Sequence, residues 1–178
     1  MDVQATPLPG VLVVGPEIFA DRRGYLFEAY HEARYAEAGI PGPFMQDSCS
    51  RSRRGVLRGL HFDSRARQAK LVSAITGEIF DVAVDLRRGS PTFGHWFGTR
   101  LGSDDRRQIY IPPGCGHGFC VLSNDADVLI KSTTLFAPEF ERGVIWNDPS
   151  IGIAWPLADP QLSERDAGLP RLQDVDLP

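Results

Sequence analysis

Breaks recur at short intervals along this chain, and they limit what it can fold into. Its 178 residues include 18 glycines and 14 prolines, distributed over the whole length. Between them lie short runs of β-branched, aromatic and alternating residues. The clearest runs from Glu78 to Asp85 (EIFDVAVD). There, strand periodicity sends Phe80, Val82 and Val84 to one face and Ile79, Asp81, Ala83 and Asp85 to the other. Leu71 to Ile75 precedes it across a Thr76-Gly77 turn. His95 to Leu101, Arg107 to Ile111, Phe119 to Leu122 and Asp127 to Thr134 continue the pattern. Many short strands separated by turn residues point to an antiparallel sandwich or barrel. One stretch, His31 to Ala38, is rich in helix formers and is stopped by Gly39 and Pro41. A helix that short is not stable alone, so it must pack on a sheet. A second helical turn is expected at Leu162 to Asp166, in the turn-rich tail after Trp155-Pro156. With no repeat and no linker, residues 1–178 read as a single all-β domain with short peripheral helices.

Composition narrows the function classes. Hydrophobic residues make up 42% and charged residues 24%, which are ordinary globular values and argue against disorder. No apolar run approaches the roughly 18 residues that span a bilayer, so no membrane partner is expected. The N-terminus has no basic flank, and Val11 to Val14 is too short for a signal peptide. Three cysteines, an odd number without metal-finger spacing, suggest a reducing compartment, with cytoplasm the default. The net charge of −4 disfavours a nucleic-acid partner. Residues 51–70 depart from that average, with seven Arg or Lys against the single acid Asp63. A local basic patch on an acidic protein suits a small anionic ligand. It also suits a solvated edge strand, and charge alone favours that duller alternative.

Two histidines stand in distinctive contexts. His61 follows Arg58-Gly59-Leu60 inside the basic patch, and His117 closes Pro112-Pro113-Gly114-Cys115-Gly116-His117. Pro-x-Gly-x-x-His resembles the second motif of cupins, small double-stranded β-helix barrels. Many cupins hold a metal through a His-x-His pair, but here Asp63 stands two residues after His61 and no His-x-His occurs. No metal is therefore expected. A histidine lining a barrel can instead take a proton, since imidazole titrates at roughly 6.5. Neighbouring cations keep it neutral, and a carboxylate behind it restores basicity and sets the tautomer. A hydrogen-bonded core histidine is the alternative.

A series of strings then occurs in order. Asp21-Arg22-Arg23-Gly24, Phe27-Glu28, Gln46-Asp47, Ser50-Arg51-Ser52, Gly55 to His61, Lys70-Leu71-Val72 and Gly77 to Asp85 form its first half. Ser90 to Gly94, Ile111 to Gly114, His117-Gly118-Phe119, Ala137-Pro138-Glu139 and Glu141-Arg142-Gly143 follow. Trp146 to Pro149, Trp155-Pro156 and Leu162 to Asp166 complete it. The set closely resembles the dTDP-4-dehydrorhamnose 3,5-epimerases, from about residue 8 to Pro170. That resemblance implies a cupin jelly roll, a homodimer formed by exchange of N-terminal strands, and no metal or organic cofactor. It implies a dTDP-linked 4-keto-6-deoxyhexose as substrate, in deoxysugar biosynthesis such as that of dTDP-L-rhamnose. Hydrogens beside the C4 ketone are acidic because the anion spreads onto the carbonyl oxygen. Removing one and returning a proton to the other face inverts the carbon.

By the same resemblance His61 is the base, Asp166 its carboxylate partner and Lys70 the charge beside the C4 oxygen. Arg58 and Arg23 fall on diphosphate-gripping positions, Arg23 reaching in from a partner subunit; the arginine fork suits phosphate oxygens. Glu28, Gln46, His117, Asn147 and Arg165 fall on other substrate contacts. The chain also departs from its family. Where the family has a proton-donating tyrosine, this sequence has Phe136, which has the ring and no hydroxyl. The family's Gln-Asp-Asn reads Gln46-Asp47-Ser48, and the histidine after it in many members is Cys49. An intact phosphate grip beside an altered sugar pocket is expected to mean a retained nucleotide with altered chemistry or an altered sugar. The alternatives are inversion of both carbons and inversion of one alone, with a non-catalytic sugar-nucleotide binder as a third. Tyr25, Tyr110, Cys115 and Cys120 are candidates to replace the missing acid.

Overall fold

The computed structural model describes residues 1–177. Short strands dominate, as the spacing of glycine and proline predicts. In chain order they are β1 (Asp2–Ala5), β2 (Leu12–Gly15), β3 (Ile18–Asp21), β4 (Gly24–Phe27), β5 (Gln46–Arg53) and β6 (Leu57–Asp63). Then come β7 (Lys70–Thr76), β8 (Glu78–Asp85), β9 (Trp96–Gly102), β10 (Gln108–Ile111), β11 (Cys115–Val121), β12 (Asp125–Ser132) and β13 (Glu141–Gly143). Two short helices, α1 (Glu32–Glu37) and α2 (Glu164–Ala167), lie at the periphery. His31 caps α1 by accepting from the Arg34 N–H, and Ser163 caps α2 by accepting from that of Asp166. Among the described residues no helix is long and apolar enough to cross a membrane.

Every pairing within the sheets is antiparallel. One sheet runs β1-β2-β10-β7-β12-β5 and the other β13-β6-β11-β8-β9, while β3 and β4 form a separate hairpin. This is the expected jelly roll. Strand alternation sorts the side chains into three apolar layers. Val72, Ala74, Ile109 and Val128 of one sheet meet Ile79, Ala83, Leu101 and Phe119 of the other to form the interior. Phe80, Val82 and Val84 leave by the opposite face of β8, as the alternation in EIFDVAVD requires, and pack with Val144, Ile151 and Leu172. On the far side, Tyr35 of α1 and Ile40 cover Leu71 and Tyr110. The short helix is thus stabilised by the sheet it covers.

Two glycines let β6 and β11 come unusually close. Gly59 has φ +124, and a Cβ there would stand 2.5 Å from the Gly118 Cα. The register slips at the same place: His117 pairs with His61, but Phe119 pairs with Arg58. An extra residue on β6 makes this a bulge, which re-aims side chains beside it. Residues three apart on a regular strand point to opposite faces. Across this bulge Arg58 and His61 point to the same one, beside Phe119 and His117. The Gly59 N–H is freed for a side-chain partner, Asp166.

Candidate active site

Both inner faces change character along their length. At one end they are apolar and form the interior; at the other they are polar and enclose a cavity of about 340 Å³. From the six-stranded sheet, Gln46, Ser48 and Ser50 of β5, Ile130 and Ser132 of β12 and Lys70 of β7 line it. From the five-stranded sheet come Arg58 and His61 of β6 and His117 and Phe119 of β11. Arg165 and Asp166 of α2, Glu141 of β13 and Phe136 close the mouth.

His61 Nε2 lies 2.7 Å from Asp166 Oδ1. The other carboxylate oxygen, Oδ2, accepts the Gly59 N–H at 3.2 Å. Burial opposes the Asp166 charge, but the His61 and Gly59 hydrogen bonds and nearby Arg165 outweigh it, and the carboxyl titrates below its ordinary range. An ionised carboxylate can only accept, so the imidazole keeps its proton on Nε2 and its free lone pair on Nδ1. One ring nitrogen is thus committed to the carboxylate and the other is free.

Lys70 is half-buried, and its Nζ donates to the His61 carbonyl at 3.3 Å. Burial lowers its ammonium to about 8, against the carboxylates of Glu141, Asp81 and Asp63, which favour the charge. Across the strand from His61, buried His117 has Nε2 2.9 Å from Asp81 Oδ2. Burial pushes the Asp81 carboxyl upward, and His117 and Lys70 restrain that rise. Arg58 Nε donates to Ser52 Oγ at 3.0 Å, and Arg165 pairs with Glu141 at 2.7 Å. Three cations, Arg58, Lys70 and Arg165, therefore face one small cavity with two carboxylates, Glu141 and Asp166, at its mouth. Such a cavity can hold an anion.

The cavity gathers nine of the twelve residues expected at the site; three lie elsewhere. Arg23 projects from the β3–β4 hairpin and pairs with Asp21. Glu28 pairs with Arg34 of α1, and Asn147 is exposed on a turn beside buried Asp148. That turn is structural: Asp148 accepts the N–H groups of Ser150 and Leu172. The basic segment is also divided, since only Arg58 and Lys70 of its seven cations line the cavity. Arg51 and Arg53 do lie on the edge strand β5, as the duller alternative has it. Strand alternation turns Cys49 away from the cavity, between Ser48 and Ser50. Of the proposed substitutes for the tyrosine hydroxyl, none lines the cavity. Tyr25 is on the hairpin, Tyr110 packs under α1, and burial pushes the Cys115 and Cys120 thiols up to about 12. Ser50, Ser132, Gln68 and Glu141 line the cavity without having been expected there. Ser50 has a buried hydroxyl with no protein partner, and its spacing of two from Ser48 was the available signal.

A family model described as dTDP-4-dehydrorhamnose 3,5-epimerase matches residues 5–174. The dTDP-4-dehydrorhamnose 3,5-epimerase of Pseudomonas aeruginosa is 53% identical over 171 residues, 95% of this chain and 94% of that protein. A dTDP-4-dehydrorhamnose 3-epimerase of Streptomyces niveus is 45% identical over 168 residues, 93% of this chain and 81% of that protein. Among solved structures, a Legionella pneumophila dTDP-6-deoxy-D-glucose-3,5-epimerase in complex with dTDP-4-keto-L-rhamnose superposes with a TM-score of 0.96. It is 45% identical and covers 99% of this chain and 97% of that one. Agreement of this extent, in sequence and in backbone together, places the chain in the dTDP-4-dehydrorhamnose 3,5-epimerase family, an isomerase family of cupin fold.

Proposed function

We propose that the chain epimerises a dTDP-linked 4-keto-6-deoxyhexose at C3, C5 or both, through an enolate formed by His61. The observation that carries this reading is the His61–Asp166 pair facing a cavity that also holds Lys70 and Arg58. His61 Nδ1 takes the proton from the carbon beside the ketone. Asp166 holds the ring and stabilises the imidazolium that results. Lys70 offers a positive charge to the oxygen on which the enolate develops. Arg58 grips the diphosphate, with Arg165 nearby. Ser48 and His117 present hydrogen-bonding groups to the sugar, and Gln46 lines the same cavity. The named ligand of the Legionella relative has the same chemistry, a dTDP-linked 4-keto sugar.

Phe136 favours inversion at a single carbon. It lines the cavity as a half-exposed ring, 53% accessible, with no acidic hydroxyl. Loss of a positioned acid slows proton return by about 10²–10⁴ at the carbon that depends on it. NMR of the 4-keto sugar nucleotide in heavy water reads both points at once. Deuterium is expected at C3 or C5, with one carbon exchanging much faster than the other. Absence of exchange at either would overturn the epimerase reading and leave a sugar-nucleotide-binding cupin. Phe136→Tyr is expected to raise exchange at the slower carbon; an unchanged pattern would remove Phe136 from the explanation.

Arg23 has a place in this reading only through a second copy. The β3–β4 hairpin exposes Ile18, Phe19, Tyr25 and Leu26, an apolar surface its own sandwich leaves uncovered. We infer a homodimer in which that hairpin reaches the neighbouring subunit and carries Arg23 to its diphosphate. Sedimentation equilibrium at micromolar concentration should give twice the chain mass, and a monomer would overturn the assignment. The three free cysteines agree with activity in a reducing cytoplasm.

A further inference from the structure

The segment between β12 and β13 carries Phe136 to the cavity mouth, and its anchoring is uneven. Its start is well held. The Thr133 N–H donates to the Ala69 carbonyl at 3.1 Å, and Thr133 Oγ1 accepts the Ala69 N–H at 2.8 Å. Beyond it, Leu135 and Phe136 are 60% and 53% exposed. The Phe136 peptide has one side-chain partner, Gln46 Oε1, which accepts its N–H at 2.7 Å. The other end of the same amide is also engaged: Gln46 Nε2 donates to Ser48 Oγ at 3.1 Å. An amide has an accepting end and a donating end, so a partner for one end decides what the other can offer. The Phe136 N–H can only donate, so it takes the carbonyl oxygen, and the NH2 end is left to Ser48 Oγ.

Ser48 and Phe136 are also the two cavity positions at which this sequence departs from its family's pattern. Ser48 lies on β5 and Phe136 in the segment that follows β12, 88 residues apart in number, and a single side chain joins them. We propose that Gln46 is a positioning residue: its amide, anchored at its other end on Ser48, holds the Phe136 peptide and so sets where that ring stands against the sugar and which carbon beside the ketone exchanges. This inference rests on the epimerase reading. The ring has no proton to give, and it acts by shape. An apolar wall at the mouth excludes water from the carbon it covers and leaves its neighbour open. If the tether is released, the ring gains rotational and translational freedom, and the distinction between the two carbons weakens.

A double-mutant cycle tests this, with the ratio of deuterium entry at C3 and C5 as the readout. Gln46→Leu removes both hydrogen bonds and is expected to shift that ratio by about five-fold, the effect of one ordinary hydrogen bond. Phe136→Ala should shift it as well. In the Phe136→Ala background, Gln46→Leu should then have no further effect on the ratio, because it has no ring left to position. Equal shifts in both backgrounds would mean that Gln46 acts on the sugar directly, which would overturn the proposal, as would an unchanged ratio in Gln46→Leu. Gln46→Glu keeps an accepting oxygen for the Phe136 N–H and should restore the native ratio, which also covers the case of a poorly folded leucine variant. Wild-type protein that exchanges neither carbon would sink the epimerase reading itself, an outcome distinct from all of these.

Discussion

His61→Ala is expected to abolish measurable solvent exchange into the 4-keto sugar nucleotide, a fall of at least about 10²–10⁴ in rate. Binding of dTDP should persist, because Arg58 stands on the far side of the bulge and keeps its own support from Ser52. The alanine variant leaves Asp166 buried with only the Gly59 N–H and Arg165 to oppose the cost of its charge. His61→Gln is therefore the better-behaved companion, since its amide can offer an N–H to the carboxylate but has no basic lone pair. Both variants should lose exchange and both should bind dTDP. Exchange within ten-fold of wild type in either would exclude His61 as the base. The pair also has a signature in stability. The folded Asp166 carboxyl titrates below its ordinary value, so its contribution is complete above the unfolded carboxylate pKa of about 4 and is lost as pH falls through the folded one. Wild-type protein should show that acid-side loss in denaturation experiments, and the His61 variants should show less of it.

Lys70→Met is the second large effect. It keeps the length of the side chain and removes its charge from the cavity. Loss of one preorganised donor to a developing oxyanion lowers the rate by about 10²–10³. The pH profile provides a separate check. Only the ammonium form stabilises the enolate oxygen, and burial brings the Lys70 pKa down to about 8. Wild-type kcat/KM should fall as pH rises through that value, and the limb should vanish in Lys70→Met. A methionine variant with the native rate and an intact alkaline limb would show that another group titrates there. Stability should move the other way. Because the folded pKa lies below the unfolded one, the charged lysine costs stability at neutral pH, and that cost fades as pH rises. The Lys70→Met variant is thus expected to melt no lower than wild type at pH 7 while losing most of its turnover. Catalysis and stability are opposed at this residue.

Much of the architecture was legible because strand alternation is a local property. Phe80, Val82 and Val84 reached one layer and Ile79 and Ala83 the other, as EIFDVAVD required. The α1 helix came out as Glu32–Glu37, a turn-sized element between the His31 cap and Gly39. The start of β11 was less legible. Cys115-Gly116-His117-Gly118 alternates small and polar residues and resembles a turn, yet it is wholly buried strand, because glycine is what fits against β6 and Leu86. The site divided in a similar way. His61, Lys70 and Arg58 could be named from ordered strings. Ser132 and Glu141 could not, since nothing in a serine or glutamate says which cavity it will face, and Ser50 had only its spacing of two from Ser48 to mark it.

Local patterning was enough to define the kind of object this is: short antiparallel strands, apolar on alternate positions, with residue types suited to taking a proton and to holding an anion. Which of those residues meet was settled by the folded arrangement. A bulge at Gly59 turned Arg58 and His61 to one face and freed an N–H for Asp166, which lies 105 residues beyond His61 along the chain. Folding also left Arg23, Glu28 and Asn147 outside the cavity and tied Phe136 to Gln46. The difference is one of range. Alternation and turn chemistry act between near neighbours, whereas the facing of a side chain into a cavity depends on strand register, and register is settled by packing across the whole sandwich.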